Sequence, residues 1–531
     1  MALSEKVRGA LSRAADRSYE RARSPQRTTR EDLIAWARGH LSHRQLVIVS
    51  NREPWSHVRA GDAIRAVRNA GGLTVAMDAV AQTLGGTWVA HGSGDADREA
   101  SDANGRVLCP PDRPTYGLRR IWLSDEDHAL YYSGASNGAL WPLCHIAYVR
   151  PRFRIEEWER YRDVNRRFAE AVLEEIGDTP AMVLLQDYHL ALAARTLKER
   201  RPDLHVAIFW HIPWPNYEVF RIFPWREELL EGLLANDFVG FHIRGHAQNF
   251  LSSVAATLEA RVDFEQSAVD RAGRRTWVRA FPISVPADEI GALAEHPETV
   301  AAEQQLRAEL GLEGVKIGLG VDRMDYTKGI PERLEGLERF FEANPDWIGR
   351  FAFIQIGVPS RIELEEYRAV QVRMREIAQR INERFPSPGR RTVYVIEDSL
   401  DFRQLIPYYR MADLCAVTSL HDGMNLVAKE YLAASPDLEG ALILSPFTGA
   451  ARELERALLA SPYDREGTAA AFLAALNEPE EARRERMAAL REIVLRRNIY
   501  DWAIDMLDSI QRLTLTTPTP EIAVAEPDQP E

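Results

Sequence analysis

Ser419-Leu-His-Asp-Gly-Met-Asn-Leu-Val-Ala-Lys-Glu430 is the stretch on which the reading of this chain turns. Asp413-Leu-Cys-Ala-Val-Thr418 precedes it, a short apolar run of the kind that forms a buried strand. Leu426 to Ala434 follows without Gly or Pro and predicts a helix. The order is therefore strand, glycine-containing turn, helix start. The first backbone N–H groups of a helix lack partners within it, and the helix dipole is positive there, so that end suits a phosphate. Asp422 can point into the same space and accept hydrogen bonds from hydroxyls. Glu430 lies about one helical turn further on, where a carboxylate could hold a diol such as a ribose. The same residues also describe an ordinary βα turn whose Asp caps the helix, and the rest of the chain has to decide.

Outward from this stretch, apolar runs alternate with helical segments. Toward the N-terminus the strand candidates are Gln45–Ser50, Thr87–Ala90, Met182–Gln186, Val206–Trp210 and Phe238–Phe241; a long polar loop is expected after Asn51-Arg52. A second series comprises Lys316–Val321, Phe351–Ile356, Thr392–Ile396, Leu414–Val417 and Ala441–Leu444. Strands separated by helices of this length indicate βαβ units and parallel sheets, with right-handed crossovers placing helices on both faces. Pro282-Ile-Ser-Val-Pro286 separates the series. The expected class is α/β, with two Rossmann-like doubly wound domains, residues 44–286 and 287–498, facing each other across a cleft. Residues 1–43 predict a helical extension with helices near Glu5–Arg21 and Thr29–Leu41, a solvated packing element or a homo-oligomer contact. A closing helix is expected over 499–513, and 514–531, rich in Thr, Pro and Glu, as a disordered tail.

At 531 residues the chain is too long for one core, which agrees with two domains. The net charge of -13 disfavours nucleic acid and anionic membranes as partners, so an anionic substrate needs a local cluster of Arg and Lys. Cys109, Cys144 and Cys415 lie far apart, with no CxxC pair, which excludes a disulfide scaffold and suits a reducing cytoplasm. No apolar run reaches the length of a membrane span, and the N-terminus has no signal-peptide pattern.

Cations recur at the predicted strand ends. Arg323 and Lys328, in Val321-Asp-Arg-Met-Asp-Tyr-Thr-Lys-Gly329, form a pair suited to a diphosphate. Arg52 and Arg361 add two fork-shaped phosphate donors. Taken singly, each Arg is an ordinary surface ion-pair partner; four cations at four strand ends of an acidic chain point to anionic ligands. Gly71-Gly72 lets backbone approach a ligand. Asp187 and His211 each follow a strand of the first series. Asp95-Ala-Asp97 has the form of an Asp-x-Asp metal motif but stands in a polar loop, and no metal site is expected. HExxH, Walker A, GxSxG and kinase signatures are missing.

With these residues in view, the chain resembles the trehalose-6-phosphate synthase family, the family 20 retaining glycosyltransferases of GT-B fold. The likeness covers roughly residues 45–512. It rests on Ser50-Asn-Arg52, Ala70-Gly-Gly-Leu73, Ser136-Asn137 with Leu140-Trp-Pro142, Asp187-Tyr-His-Leu190, His211-Ile-Pro213, Arg323-Met-Asp-Tyr-Thr-Lys-Gly329, Ser360-Arg361 and Asp422-Gly-Met-Asn-Leu-Val-Ala-Lys-Glu430. The resemblance implies transfer of glucose from a nucleotide sugar, UDP-glucose first, to glucose 6-phosphate, with neither cofactor nor metal. It implies that Arg323 and Lys328 hold the donor diphosphate, with backbone groups from Gly423 and Met424 to Asn425 and Leu426. Glu430 would bind the ribose, Asp422 and His211 hydroxyls of the transferred glucose, and Gly72 the loop over the donor. The base would lie near Leu400. Arg52, Tyr132, Trp141 and Arg361 would bind the acceptor sugar phosphate, and Asp187 its hydroxyls. Arg323, Lys328, His211 and Asp187 would be the catalytic set.

The sequence departs from the family pattern at His421, where many relatives have Arg, at His91, near a relative's Trp, and at Gln186, often His. A glucosylglycerol-phosphate synthase, which takes glycerol 3-phosphate, would share nearly every donor residue; Tyr132, Trp141 and Arg361 favour a hexose phosphate. A non-catalytic sugar-phosphate sensor on the same fold should have lost a diphosphate cation or Glu430, and all of them remain.

Overall fold

A computed structural model describes residues 27–516, apart from Ser42 and Ala70. The expected helix near Glu5–Arg21 lies outside the described residues, as does 517–531. In chain order the strands are β1 (Gln45–Arg52), β2 (Trp55–Ala60), β3 (Ala63–Arg68), β4 (Thr87–His91), β5 (Arg106–Cys109), β6 (Tyr116–Ile121), β7 (Ala181–Gln186), β8 (His205–Phe209), β9 (Phe238–Phe241), β10 (Arg261–Asp263), β11 (Ala268–Arg271), β12 (Arg274–Ala280), β13 (Lys316–Arg323), β14 (Phe351–Val358), β15 (Val393–Ile396), β16 (Leu414–Val417), β17 (Leu442–Leu444) and β18 (Leu458–Leu459).

The first sheet has ten strands in the order β10-β11-β12-β9-β8-β7-β1-β4-β6-β5, and the second has six in the order β15-β14-β13-β16-β17-β18. From β12 to β6 the first sheet is parallel, and antiparallel strands stand only at its edges. The second sheet is parallel throughout. Parallel strands run in one direction, so within each sheet the residues after Arg52, Gln186, Phe209, Arg323, Val358 and Val417 emerge at one edge. This α/β architecture is the one the alternating runs predict.

Both faces of each sheet are covered, which explains the near-continuous apolar runs. In β1, Leu46 and Ile48 enter one core while Val47 and Val49 enter another, the two-residue period of a strand. In β14, Ala352, Ile354 and Ile356 alternate in the same way with Phe351 and Phe353. One core spans the two sheets: it holds Leu46 and Ile48 with Ile317 and Leu319, joined by Trp502 and Leu507.

Those last two residues lie on the helix Ile499–Thr516, which ends beyond the expected Leu513. It packs on the helices Arg30–His40 and Gly72–Leu84 of the first half of the chain. Trp502 meets Phe209 at 5.3 Å and donates through Nε1 to the Phe281 carbonyl. The helix Arg30–His40 starts with a capping box between Thr29 and Asp32.

One element differs from the expectations, and one lies where the sequence carried none. The segment after Arg52 is not a polar loop but the antiparallel hairpin β2–β3, closed by Gly61-Asp62 with Gly61 at φ 64°. Its alternation is muted because β3 is exposed or half-buried along its length. The segment His128–Leu140 is a π-helix, continuous with the helix Trp141–His145.

Candidate active site

The turn at residues 419–425 sits where the two sheets face each other. Asn425 (φ 74°) caps the helix Leu426–Ala433 without a side-chain bond, leaving the first N–H groups of that helix open toward the cleft. Gly423 is required there: a Cβ would lie 2.1 Å from the His211 carbonyl oxygen on the opposite half. Gly72, the first residue of its helix, meets Leu426, and a Cβ would lie 2.9 Å from Leu426 Cδ1. Met424 is buried beneath the turn, and Leu400 packs half-buried in the same apolar core as Leu426.

Asp422 forms an ion pair with Lys328, Nζ to Oδ2 2.5 Å, with both side chains 12% exposed. Ser419 Oγ (3.3 Å) and Asn425 Nδ2 (3.2 Å) donate to the same oxygen. Burial alone would raise the Asp422 pKa, but the Lys328 ammonium outweighs it and holds the carboxyl at about 2. Glu430 is buried and accepts from the Tyr409 hydroxyl at 2.8 Å. Burial pushes its pKa up to about 7.

Arg323 stands at the end of β13, one-third exposed, its guanidinium 5.4 Å from the Trp141 ring centroid. The same ring carries Arg361 at 4.5 Å. Arg361 is in the left-handed region (φ 48°), a conformation that costs about 1–3 kcal/mol outside glycine. It donates to the hydroxyls of Tyr367 (2.6 Å), Tyr188 (3.3 Å) and Tyr132 (3.5 Å). Tyr132 and Tyr188 belong to the first half of the chain and Tyr367 to the second, so one guanidinium bridges the cleft. Burial pushes the Tyr132 pKa up, yet Arg361, Arg52 and Arg323 together bring it down to about 7. Arg52 is exposed at the end of β1.

Asp187, also left-handed (φ 74°), accepts the backbone N–H of Tyr188 (2.9 Å) and of His211 (3.1 Å) through Oδ1. Burial raises its carboxyl to about 7 against those donors and the charges of Arg323 and Arg361. His211 Nε2 donates to Gln186 Oε1 at 2.9 Å, and burial keeps the ring neutral. Three of the left-handed non-glycine residues, Asp187, Arg361 and Asn425, thus lie in this one cleft.

Two departures from the family pattern have partners here. Gln186 fixes the tautomer of His211. His421 Nδ1 bonds the His145 carbonyl oxygen at 2.6 Å, a contact between the two halves. His91 lies in the first half, its Nδ1 3.4 Å from the Ile121 carbonyl oxygen. The Asp97 carboxylate is taken up by the backbone N–H groups of His57 and Gly94 and by Arg120 at 2.9 Å. Among the described residues no three metal-ligating side chains come together.

The cleft therefore brings together Gly72, Asp187, His211, Arg323, Lys328, Arg361, Tyr132, Trp141 and the turn Asp422–Leu426. Residue-type reasoning did not single out Asp325, Tyr188, Tyr367 or Tyr409. Tyr188 and Asp325 stand inside motifs already quoted, which is the one signal that pointed at them.

Comparison with known proteins agrees with this geometry. The model of glycosyltransferase family 20 matches residues 44–512. The trehalose-6-phosphate synthase of Mycolicibacterium smegmatis is 39% identical over 476 residues, covering 87% of this chain and 92% of that protein. That of Mycobacterium avium is 39% identical over 472 residues, covering 87% and 94%. A Burkholderia xenovorans α,α-trehalose-phosphate synthase (UDP-forming), solved with glucose 6-phosphate, superposes with a TM-score of 0.78 at 30% identity, covering 88% of this chain and all of that one. An E. coli structure bound with UDP-2-fluoro glucose superposes with a TM-score of 0.76 at 30% identity, covering 88% and 99%. With a parallel sheet on each side of a cation-lined cleft and the family model matched from end to end of both, the chain belongs to glycosyltransferase family 20 and is a glucosyltransferase of GT-B fold.

Proposed function

We propose that the chain transfers glucose from UDP-glucose to glucose 6-phosphate with retention at the anomeric carbon, giving α,α-trehalose 6-phosphate and UDP. The observation that carries this reading is the pair of guanidiniums on one indole: Arg323 and Arg361 lie 5.4 and 4.5 Å from the Trp141 centroid, so two anion-binding centres share one cleft. The named ligands of the two related structures, a UDP-sugar and glucose 6-phosphate, are the two anions such a cleft would take.

Residues 287–498 are assigned to the donor and 44–286 to the acceptor. Arg323, Lys328 and the open N–H groups after Asn425 receive the diphosphate, Glu430 the ribose, Asp422 and the neutral His211 hydroxyls of the glucose, and the region of Leu400 the base. Arg361, Arg52, Tyr132 and Trp141 receive the acceptor sugar phosphate, and Asp187 its hydroxyls.

Departure of the nucleotide puts negative charge on the diphosphate and positive character on the sugar ring. Fixed cations and helix N–H groups stabilise the first without reorganising during the step. The acceptor attacks from the face that the diphosphate leaves, and the leaving phosphate oxygen takes the acceptor proton. The reaction then needs no carboxylate pair of hydrolase type. Contacts across the cleft, Arg361 to Tyr132 and His421 to His145, hold its two sides together, and a closed cleft of this kind would keep water from the reacting centre.

The test is a matrix of nucleotide glucoses against acceptors, read as nucleotide release. UDP release with UDP-glucose and glucose 6-phosphate is expected. Release only with glycerol 3-phosphate would refute the acceptor, and release from no nucleotide glucose would refute the reaction.

A further inference from the structure

Arg323, Lys328 and Arg361 each have a carboxylate, but these are not shared equally. Lys328 has Asp422 to itself, Nζ to Oδ2 2.5 Å. Arg323 and Arg361 share Asp325, whose Oδ2 lies 4.0 Å from Arg323 Nη2 and 3.7 Å from Arg361 Nη1. Asp325 is wholly buried, and its Oδ1 is occupied by the backbone N–H and hydroxyl of Thr327, both at 3.0 Å. Its Oδ2 has no hydrogen-bond partner and faces the two guanidiniums. Burial works against its charge, but Arg323 and then Arg361 and Lys328 keep the carboxyl below the usual range, so it is ionised.

The two arginines depend on this group to different degrees. Arg361 is 3% exposed and is also fixed by three tyrosine hydroxyls. The Arg323 side chain is 32% exposed and makes no hydrogen bond to another described residue; its contacts are Asp325 and the face of Trp141. Two guanidiniums on one indole repel, and with Arg361 buried that repulsion is only partly screened. Without a counter-charge the less constrained cation, Arg323, turns out to solvent.

We propose that Asp325 is a positioning residue of the transfer reaction: it holds Arg323 in the cleft, aimed at the donor diphosphate, by balancing the charge of Arg361. This rests on the donor–acceptor reading above. Asp325 touches no reacting atom and acts only through Arg323.

Calorimetric titration of the full chain with UDP tests it. Asp325→Asn should weaken UDP affinity about ten- to a hundredfold, the range for losing a charge-assisted contact to the diphosphate. The double variant Asp325→Asn/Arg361→Gln, in which the repelling cation is also gone, should bring UDP affinity back to within about threefold of Arg361→Gln alone, a coupling that a double-mutant cycle isolates. If Asp325 only shaped the turn Tyr326–Lys328, removing Arg361 would restore nothing. UDP affinity unchanged in Asp325→Asn, or equally weak in single and double variants, overturns the proposal. Should Asp325→Asn not fold, Asp325→Ser, which retains an acceptor for the Thr327 N–H, replaces it in the cycle. A wild-type chain that transfers glucose from no nucleotide sugar would sink the assigned reaction instead. Inorganic pyrophosphate is then the probe of Arg323, and the variants must order in the same way.

Discussion

Replacing Lys328 by Met separates what the Lys328–Asp422 pair does for the fold from what it does for the reaction. The pair is nearly dry, with 12% exposure on each side and 2.5 Å between the charges. Deleting the ammonium leaves Asp422 with two weak donors, Ser419 Oγ at 3.3 Å and Asn425 Nδ2 at 3.2 Å. Lys328 holds the Asp422 carboxyl at about 2 against an ordinary value of 3.8, worth about 2 kcal/mol of stability near neutral pH. That contribution is present above the unfolded pKa and is lost as pH falls through the folded one. In the variant, burial is no longer opposed by Lys328, so the Asp422 pKa rises above its unfolded value and the cost appears as pH increases. Together these give a loss of about 3–5 kcal/mol at pH 7, the range for breaking a buried pair, shrinking toward pH 4.

Turnover should fall about 10²–10³-fold, as for removal of one preorganised group at a developing negative charge. The double variant Lys328→Met/Asp422→Asn decides between the two roles. It removes the orphaned carboxylate, so denaturant unfolding should recover most of the stability. Its rate of UDP release should stay at or below that of the single variant, because the diphosphate still lacks its cation. Near-normal turnover in Lys328→Met, or turnover that returns together with stability in the double variant, would refute the assignment of Lys328 to the leaving group.

Two further perturbations follow from the same geometry. Gly423→Ala places a Cβ about where the structure leaves 2.1 Å to the His211 carbonyl, so the halves cannot approach as closely; kcat should drop at least tenfold while each half keeps its fold, with circular dichroism as the control. Glu430→Gln removes a carboxyl that burial raises from 4.5 to about 7. Such a group stabilises the fold below its unfolded pKa, and this contribution is lost as pH rises through the folded one; between pH 5 and 8 wild-type stability should fall by up to about 3 kcal/mol from this source, and the Gln variant should lack that slope in denaturant titrations.

The parts legible in the sequence are those governed by burial on both faces. Strands such as β1 and β13 are buried at nearly every position because both sheet faces are covered, and their central apolar runs stand out from their surroundings. The hairpin β2–β3 escaped because β3 has no buried face to write an alternation into its residues. Tyr132 could be placed only through the family resemblance. It rides on a π-helical segment, His128–Leu140, whose register no two- or 3.6-residue period announces. The partners that tune the site were illegible for a different reason. Asp325 meets Arg361 36 positions later, and Arg361 meets Tyr132 229 positions earlier, through folding rather than spacing.

The same distances bear on how a cleft packed this closely admits a diphosphate. Lys328 is bound to Asp422, but an ammonium has three donors and Asp422 takes one, so the pair can persist while Lys328 also serves a phosphate. Arg323 has no hydrogen bond to surrender, only an ion pair at 4.0 Å and an aromatic face, and can close on an oxygen at little cost. Arg361, by contrast, is tied to three tyrosine hydroxyls from both halves of the chain, and an acceptor phosphate has to be added to an arrangement already set. On the proposed assignment, selectivity for the acceptor belongs to the rigid Arg361–Tyr132–Trp141 wall, and charge stabilisation of the leaving group to the looser Arg323. A change that loosens the wall should raise the acceptor KM before it lowers kcat, and one that frees Arg323 should do the reverse.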